Sequence, residues 1–134
     1  MKYVFFGLTD QACFYANKLS HLRGVTVKAY DYDVSAIEKN KNQLYDVSLA
    51  NATDKTFIDQ YADLTPNDIA LVFIKNDVSA NLLCCELLLE KGLTKIYSVY
   101  QNDSHRSLLQ RLGIDTNLVN DQLLFAEWKL KFKN

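Results

Sequence analysis

The sequence predicts an α/β fold: a doubly wound parallel sheet between two helical layers, a three-layer αβα arrangement. Three observations carry this. Short apolar runs alternate with longer amphipathic ones along the whole chain. Several short runs are continuously apolar, such as Ile69-Ala70-Leu71-Val72-Phe73-Ile74, which suits strands covered on both faces better than half-exposed antiparallel ones. Finally, 134 residues at 49% hydrophobic and 23% charged leave room for one domain with a real core.

Strands are expected over Lys2–Phe6, Val25–Asp31, Asp46–Ala50, Ile69–Ile74, Lys95–Val99 and Thr116–Val119. The helix between the first two is Gln11–Leu22, with Ala12, Tyr15, Ala16, Leu19 and Leu22 at helical spacing. Shorter helices are expected at Ser35–Gln43 and Asp54–Tyr61, the second with Thr53 as its N-cap. Pro66 falls in the turn before the fourth strand, where it removes no ladder hydrogen bond. Ser79–Lys91 is the most apolar helix, as one packed on a sheet should be, and Asp103–Leu112 ends at Gly113, a good C-cap residue. Strand–helix alternation of this regularity means right-handed βαβ units. The expected architecture is Rossmann-like, strand order 3-2-1-4-5-6, with ligands held beyond the carboxyl ends of strands one and four.

Composition narrows the partners. Fifteen basic against sixteen acidic residues give a net charge of −1, without the basic footprint of nucleic-acid binding. The first apolar run, Tyr3-Val4-Phe5-Phe6, is cut short by Gly7 and Asp10, and no stretch reaches the roughly 18 apolar residues of a membrane span. A cytoplasmic protein without direct membrane insertion is expected. Three cysteines, Cys13, Cys84 and Cys85, lack CxxC spacing and argue against a disulfide framework or a zinc site; no metal is expected. Cys84 and Cys85 read as core side chains on different helix faces.

The first turn, Gly7-Leu8-Thr9-Asp10-Gln11-Ala12, sits where a dinucleotide-binding domain carries GxGxxG. Gly7 supplies the tight turn and Ala12 the close helix–strand packing. Thr9 replaces the glycine that lets a pyrophosphate approach, and Asp10 adds negative charge where a phosphate would be welcome. Asp31 ends the second strand 19 residues after Ala12, near the roughly 20-residue offset of a ribose-binding carboxylate. Asp33 is its neighbouring alternative; the other reading of both is as caps for the helix starting near Ser35.

Further along, Leu49-Ala50-Asn51-Ala52-Thr53-Asp54 follows the third strand, Asp77-Val78-Ser79-Ala80-Asn81-Leu82-Leu83 the fourth, and Gln101-Asn102-Asp103-Ser104-His105 the fifth; Leu109-Gln110-Arg111-Leu112-Gly113-Ile114-Asp115 comes last. With Tyr30-Asp31-Tyr32-Asp33, this set resembles the RCK N-terminal (TrkA-N) domain of Trk/Ktr-type potassium uptake regulators. The likeness runs over essentially the whole chain, and its elements look closest to the Ktr branch. It implies a cytosolic regulatory subunit, homodimeric or in a ring, that binds ATP/ADP or NAD(H) and signals to a membrane potassium channel or transporter. On that resemblance Gly7, Thr9 and Ala12 occupy the phosphate loop, and Asp31 the ribose carboxylate. Asn51, Ala52 and Thr53 lie beside the adenine, Lys75 and Asn76 over the switch point, and His105 on the rim. This chain departs from the family at Thr9, at Asp10 (usually arginine) and at Lys75 (a glycine in the family). Lys75 either restores positive charge near a phosphate or is a solvated surface lysine. The family's C-terminal ligand lobe has no counterpart in these residues, so a single domain over 1–134 is expected.

The last segment, Asp121 through Lys133, reads as a helix with Leu124, Phe125, Trp128 and Phe132 on a wide apolar stripe. It is expected to dock a second subunit, as the corresponding helix does in the family; the alternative is a fully self-packed last helix. No catalytic residue is expected: His21 and His105 have no serine, cysteine or carboxylate that sequence places beside them, and no GxGKS/T loop is present. Beside the nucleotide-sensing regulator two readings stay open, a non-binding assembly module and a small NAD-binding enzyme fragment.

Overall fold

The computed structural model describes residues 1–117 and the short helix Phe125–Leu130. Five strands form one sheet: β1 (Lys2–Phe6), β2 (Thr26–Asp31), β3 (Asp46–Leu49), β4 (Ile69–Val72) and β5 (Lys95–Ser98). Their order is β3-β2-β1-β4-β5, and every pairing is parallel. β1 therefore lies between β2 and β4, and the winding reverses between β1 and β4.

The period-two pattern of β1 divides the core. Tyr3 and Phe5 point into one apolar cluster with Ala12, Tyr15, Ala16 and Leu19 of helix α1 (Asp10–Ser20). Val4 and Phe6 point into a second cluster with Cys84, Cys85, Leu87 and Leu88 of α3 (Val78–Glu90) and Leu109 of α4 (Asp103–Arg111). Helix α2 (Val34–Asn40) contributes Ala36 and Ile37 to the first side. The sheet is thus covered on both faces, which is why β4 is buried along its whole length. Apart from the helix expected over Asp54–Tyr61, each strand and helix expected up to Leu112 is found, with every end within three residues of expectation.

Three details differ from expectation. The sixth strand is reduced, among the described residues, to a single parallel bridge from Asp115 to Tyr97. It does lie outside β5, where order 3-2-1-4-5-6 puts it, but Arg106 then draws Thr116 and Asn117 into side-chain hydrogen bonds; residues 118–119 lie outside the described residues. The segment before β4 winds as a π-helical turn, Phe57–Tyr61, rather than a regular helix over Asp54–Tyr61. Thr56 stands at its N-cap without a side-chain bond, and Asp54 Oδ1, rather than Thr53, accepts from the Thr56 N–H at 2.9 Å. Thr53 is committed elsewhere, donating its hydroxyl to Asn51 Oδ1 at 2.6 Å. Cys84 and Cys85 are both buried in the second cluster, as expected of core side chains.

Of the expected dimer helix, α5 (Phe125–Leu130) is described, and its Leu130 is exposed. Leu124, Phe132 and the side chains of Phe125 and Trp128 lie outside the described residues. Among the described residues no helix is long and apolar enough to cross a membrane.

Candidate functional site

The reversal between β1 and β4 opens a cleft of about 520 Å³ at the carboxyl ends of the strands, within the size range of small-molecule sites. Its floor is the first turn. Gly7 has φ +102°, and a Cβ there would lie 3.0 Å from the Phe73 carbonyl oxygen at the end of β4. Only glycine meets both demands, so Gly7 brings the two lips of the cleft together. Its N–H is spent on Tyr30 O at 2.8 Å.

The next residues show what became of the phosphate loop. Thr9 is the N-cap of α1, with its hydroxyl accepting from Ala12 N–H at 3.2 Å. Asp31, at the end of β2, places Oδ2 on the Leu8 N–H at 2.6 Å and Oδ1 on the Asp33 N–H at 2.8 Å. The protein's own carboxylate therefore sits on a loop amide that would otherwise face an anionic ligand. Each carboxylate oxygen keeps further acceptor capacity for a sugar hydroxyl. Asp33 caps α2 through Ser35 N–H at 2.9 Å, so of the two readings made for this pair, Asp33 takes the cap. Asp10 is 99% exposed in its side chain and pairs with Lys39 at 3.5 Å.

Of the residues singled out from sequence, Gly7, Thr9, Asp31, Asn51, Ala52, Thr53, Lys75 and Asn76 all line this cleft. Two do not. Ala12 is fully buried beneath it in the first core cluster, where it serves helix–strand packing. His105, expected on the rim, is 1% exposed and belongs to a buried polar cluster between α3 and α4.

That cluster had no reading from sequence. Asn81 donates to Ile74 O and to Ser98 Oγ, both at 2.9 Å, and so ties the end of β4 to the end of β5. The Gln101 N–H donates to His105 Nδ1 at 3.0 Å, so Nδ1 carries no proton. Nε2 is then the protonated nitrogen and donates to Asn81 Oδ1 at 3.0 Å. Burial holds the His105 pKa below its ordinary value. The sequence signal was available: a polar residue inside the most apolar helix, at a position that faces the core.

Leu8, Tyr32 and Asp77 were also not singled out as ligand contacts, yet they line the cleft. Tyr32 is 74% exposed and offers an aromatic face at the rim, and Asp77 caps α3 through Ala80 N–H at 3.0 Å. Among the described residues no group of histidine, cysteine and carboxylate side chains could hold a metal ion.

Comparison with known proteins agrees with this geometry. The TrkA-N domain family model matches residues 3–120. Curated proteins yield no significant match. Among solved structures, a xanthine dehydrogenase from Bacillus halodurans is similar over 96% of this chain, with 18% identity and a TM-score of 0.66. This chain spans only 39% of that one. The NAD(P)-binding domain of an exopolyphosphatase-related protein from Archaeoglobus fulgidus is similar over 97% of this chain and 92% of its own, with 22% identity and a TM-score of 0.65. At these identities the two structures establish the shared Rossmann-type fold.

Proposed function

The chain belongs to the TrkA-N domain family, and on that premise we propose that it is a nucleotide-sensing regulatory module, binding ATP/ADP or NAD(H) in the cleft between β1 and β4. One observation carries the reading: Asp31, Asn51, Thr53 and Lys75, drawn from three separate stretches of sequence, line a single cavity of about 520 Å³. Asp31 is the sugar-binding carboxylate, and the loop Asn51-Ala52-Thr53, braced by its own Asn51–Thr53 hydrogen bonds, lies against the base. The partner is a membrane potassium channel or transporter subunit, and the module works in the cytoplasm as a homodimer or ring built through its last helix.

The role is regulatory rather than enzymatic. Both ring nitrogens of His105 are engaged inside the core. Burial pushes the Cys84 thiol well up and that of Cys85 to about 12, so neither supplies a thiolate near neutral pH. Support for this reading comes from such spent side chains, each of which a catalyst would need free.

Thermal unfolding with ATP, ADP, NAD and NADH tests the proposal. A ligand at 100 times its dissociation constant stabilises by about 2.7 kcal/mol, an easily measured shift. Thr9 and Asp10 favour the second reading, an assembly module that binds no nucleotide, and no shift with any of the four would favour that one instead.

A further inference from the structure

We propose that the phosphates of the bound nucleotide leave the glycine loop and run to a separate subsite formed by Lys75 and Gln11; this rests on the nucleotide-binding reading above. Three backbone donors of the first turn are already spent. The N–H groups of Gly7, Leu8 and Ala12 are already bonded to Tyr30 O, Asp31 Oδ2 and Thr9 Oγ1. The cleft is lined by the carboxylates of Asp31, Asp33 and Asp77, and a phosphate held at Leu8 would lie against the first of them. Lys75 is the only cationic side chain among the described lining residues.

The phosphates have another place to go. A smaller cavity of about 210 Å³ adjoins the first turn, lined by Thr9, Asp10, Gln11, Phe73, Lys75 and Val99. It shares Thr9, Phe73 and Lys75 with the main cleft, so the two meet where the loop faces the end of β4. Gln11 carries a buried amide nitrogen, Nε2, without a hydrogen-bond partner among the described residues. An unpaired buried donor is costly, and a ligand oxygen removes that cost. The Asp10 carboxylate at the same cavity is turned to solvent and paired with Lys39, which offsets its charge. A ribose on Asp31 thus leaves its phosphates between the Lys75 ammonium, as a point charge, and the Gln11 amide.

Titration calorimetry with adenosine and with ADP separates the parts. Lys75 is exposed, so Lys75→Ala leaves the fold intact. It should weaken ADP about tenfold or more, the loss of one charge-assisted hydrogen bond, while adenosine binding stays within about twofold. Gln11→Leu, which keeps the buried volume and removes the donor, should weaken ADP about fivefold and again spare adenosine. ADP affinity unchanged in both variants, or ADP and adenosine weakened equally, overturns the subsite while leaving nucleotide binding in place. A wild-type protein that binds neither compound overturns the nucleotide-binding reading and this subsite with it.

Discussion

The turn after β1 and the turn after β4 face each other across the same cleft, yet the chain has treated them in opposite ways. In the first, backbone donors are consumed internally: Asp31 covers the Leu8 amide and Thr9 covers that of Ala12. In the second, Asn81 anchors the Ile74 carbonyl from below, and the following residues, Lys75 and Asn76, stand exposed in the cleft. Among the described residues that line the cleft, the cationic side chain, Lys75, stands on the lip opposite the N-terminus of α1. A topological position in a doubly wound sheet therefore fixes where a ligand lies, while the local donors decide which of its groups is held and by which lip.

The largest way to break this arrangement is at its point of contact. Gly7→Ala places a Cβ 3.0 Å from the Phe73 carbonyl at a φ of +102°, so both lips must shift. Unfolding in urea should show a loss of about 2–4 kcal/mol, and the lips should no longer form one cleft. The comparison sharpens with Thr9→Gly combined with Asp10→Arg. That pair removes the hydroxyl cap and reverses the charge, reopening the first turn to phosphate, and should tighten ADP about tenfold in calorimetry. In that background Lys75→Ala should cost less than it does in the wild type, because the loop then shares the load.

The smallest expected effect is a pH dependence from the support beneath the second turn. His105 is held neutral when folded, with its pKa lowered by burial. The unfolded chain has an ordinary histidine near 6.5 and takes up a proton that the folded state refuses. The His105 contribution is therefore complete above about pH 6.5, declines as the pH falls through that value, and levels off below the depressed folded pKa. Denaturation at pH 7.5 and 5.5 should show this decline, and His105→Gln should flatten it.

Much of the fold was legible in the sequence because its signals are local. The alternation of Tyr3 and Phe5 with Val4 and Phe6, the apolar spacing of Ala12, Tyr15, Ala16 and Leu19, and the run Ile69–Ile74 each state a period that neighbouring residues suffice to read. The cleft-lining residues Gly7 and Asp31 were legible for a related reason, since a turn motif and its offset are local too, whereas Asn51–Thr53 were placed by the family resemblance. His105 was misplaced because its position at the start of α4 is compatible with either the rim or the core. Its two bonds, to Gln101 and Asn81, decide for the core.

The sequence alone determined which segments become strands and helices, their parallel winding and the edge at which the cleft opens, since hydrophobic period and strand–helix alternation are properties of consecutive residues. Only the tertiary structure decided that Asp31 would cover the Leu8 amide 23 residues away, that Asn81 would join β4 to β5, and that Lys75 would share two cavities with Thr9. A hydrogen bond or a cavity depends on atoms brought together by packing, and their separation along the chain leaves no periodic trace from which they could be read.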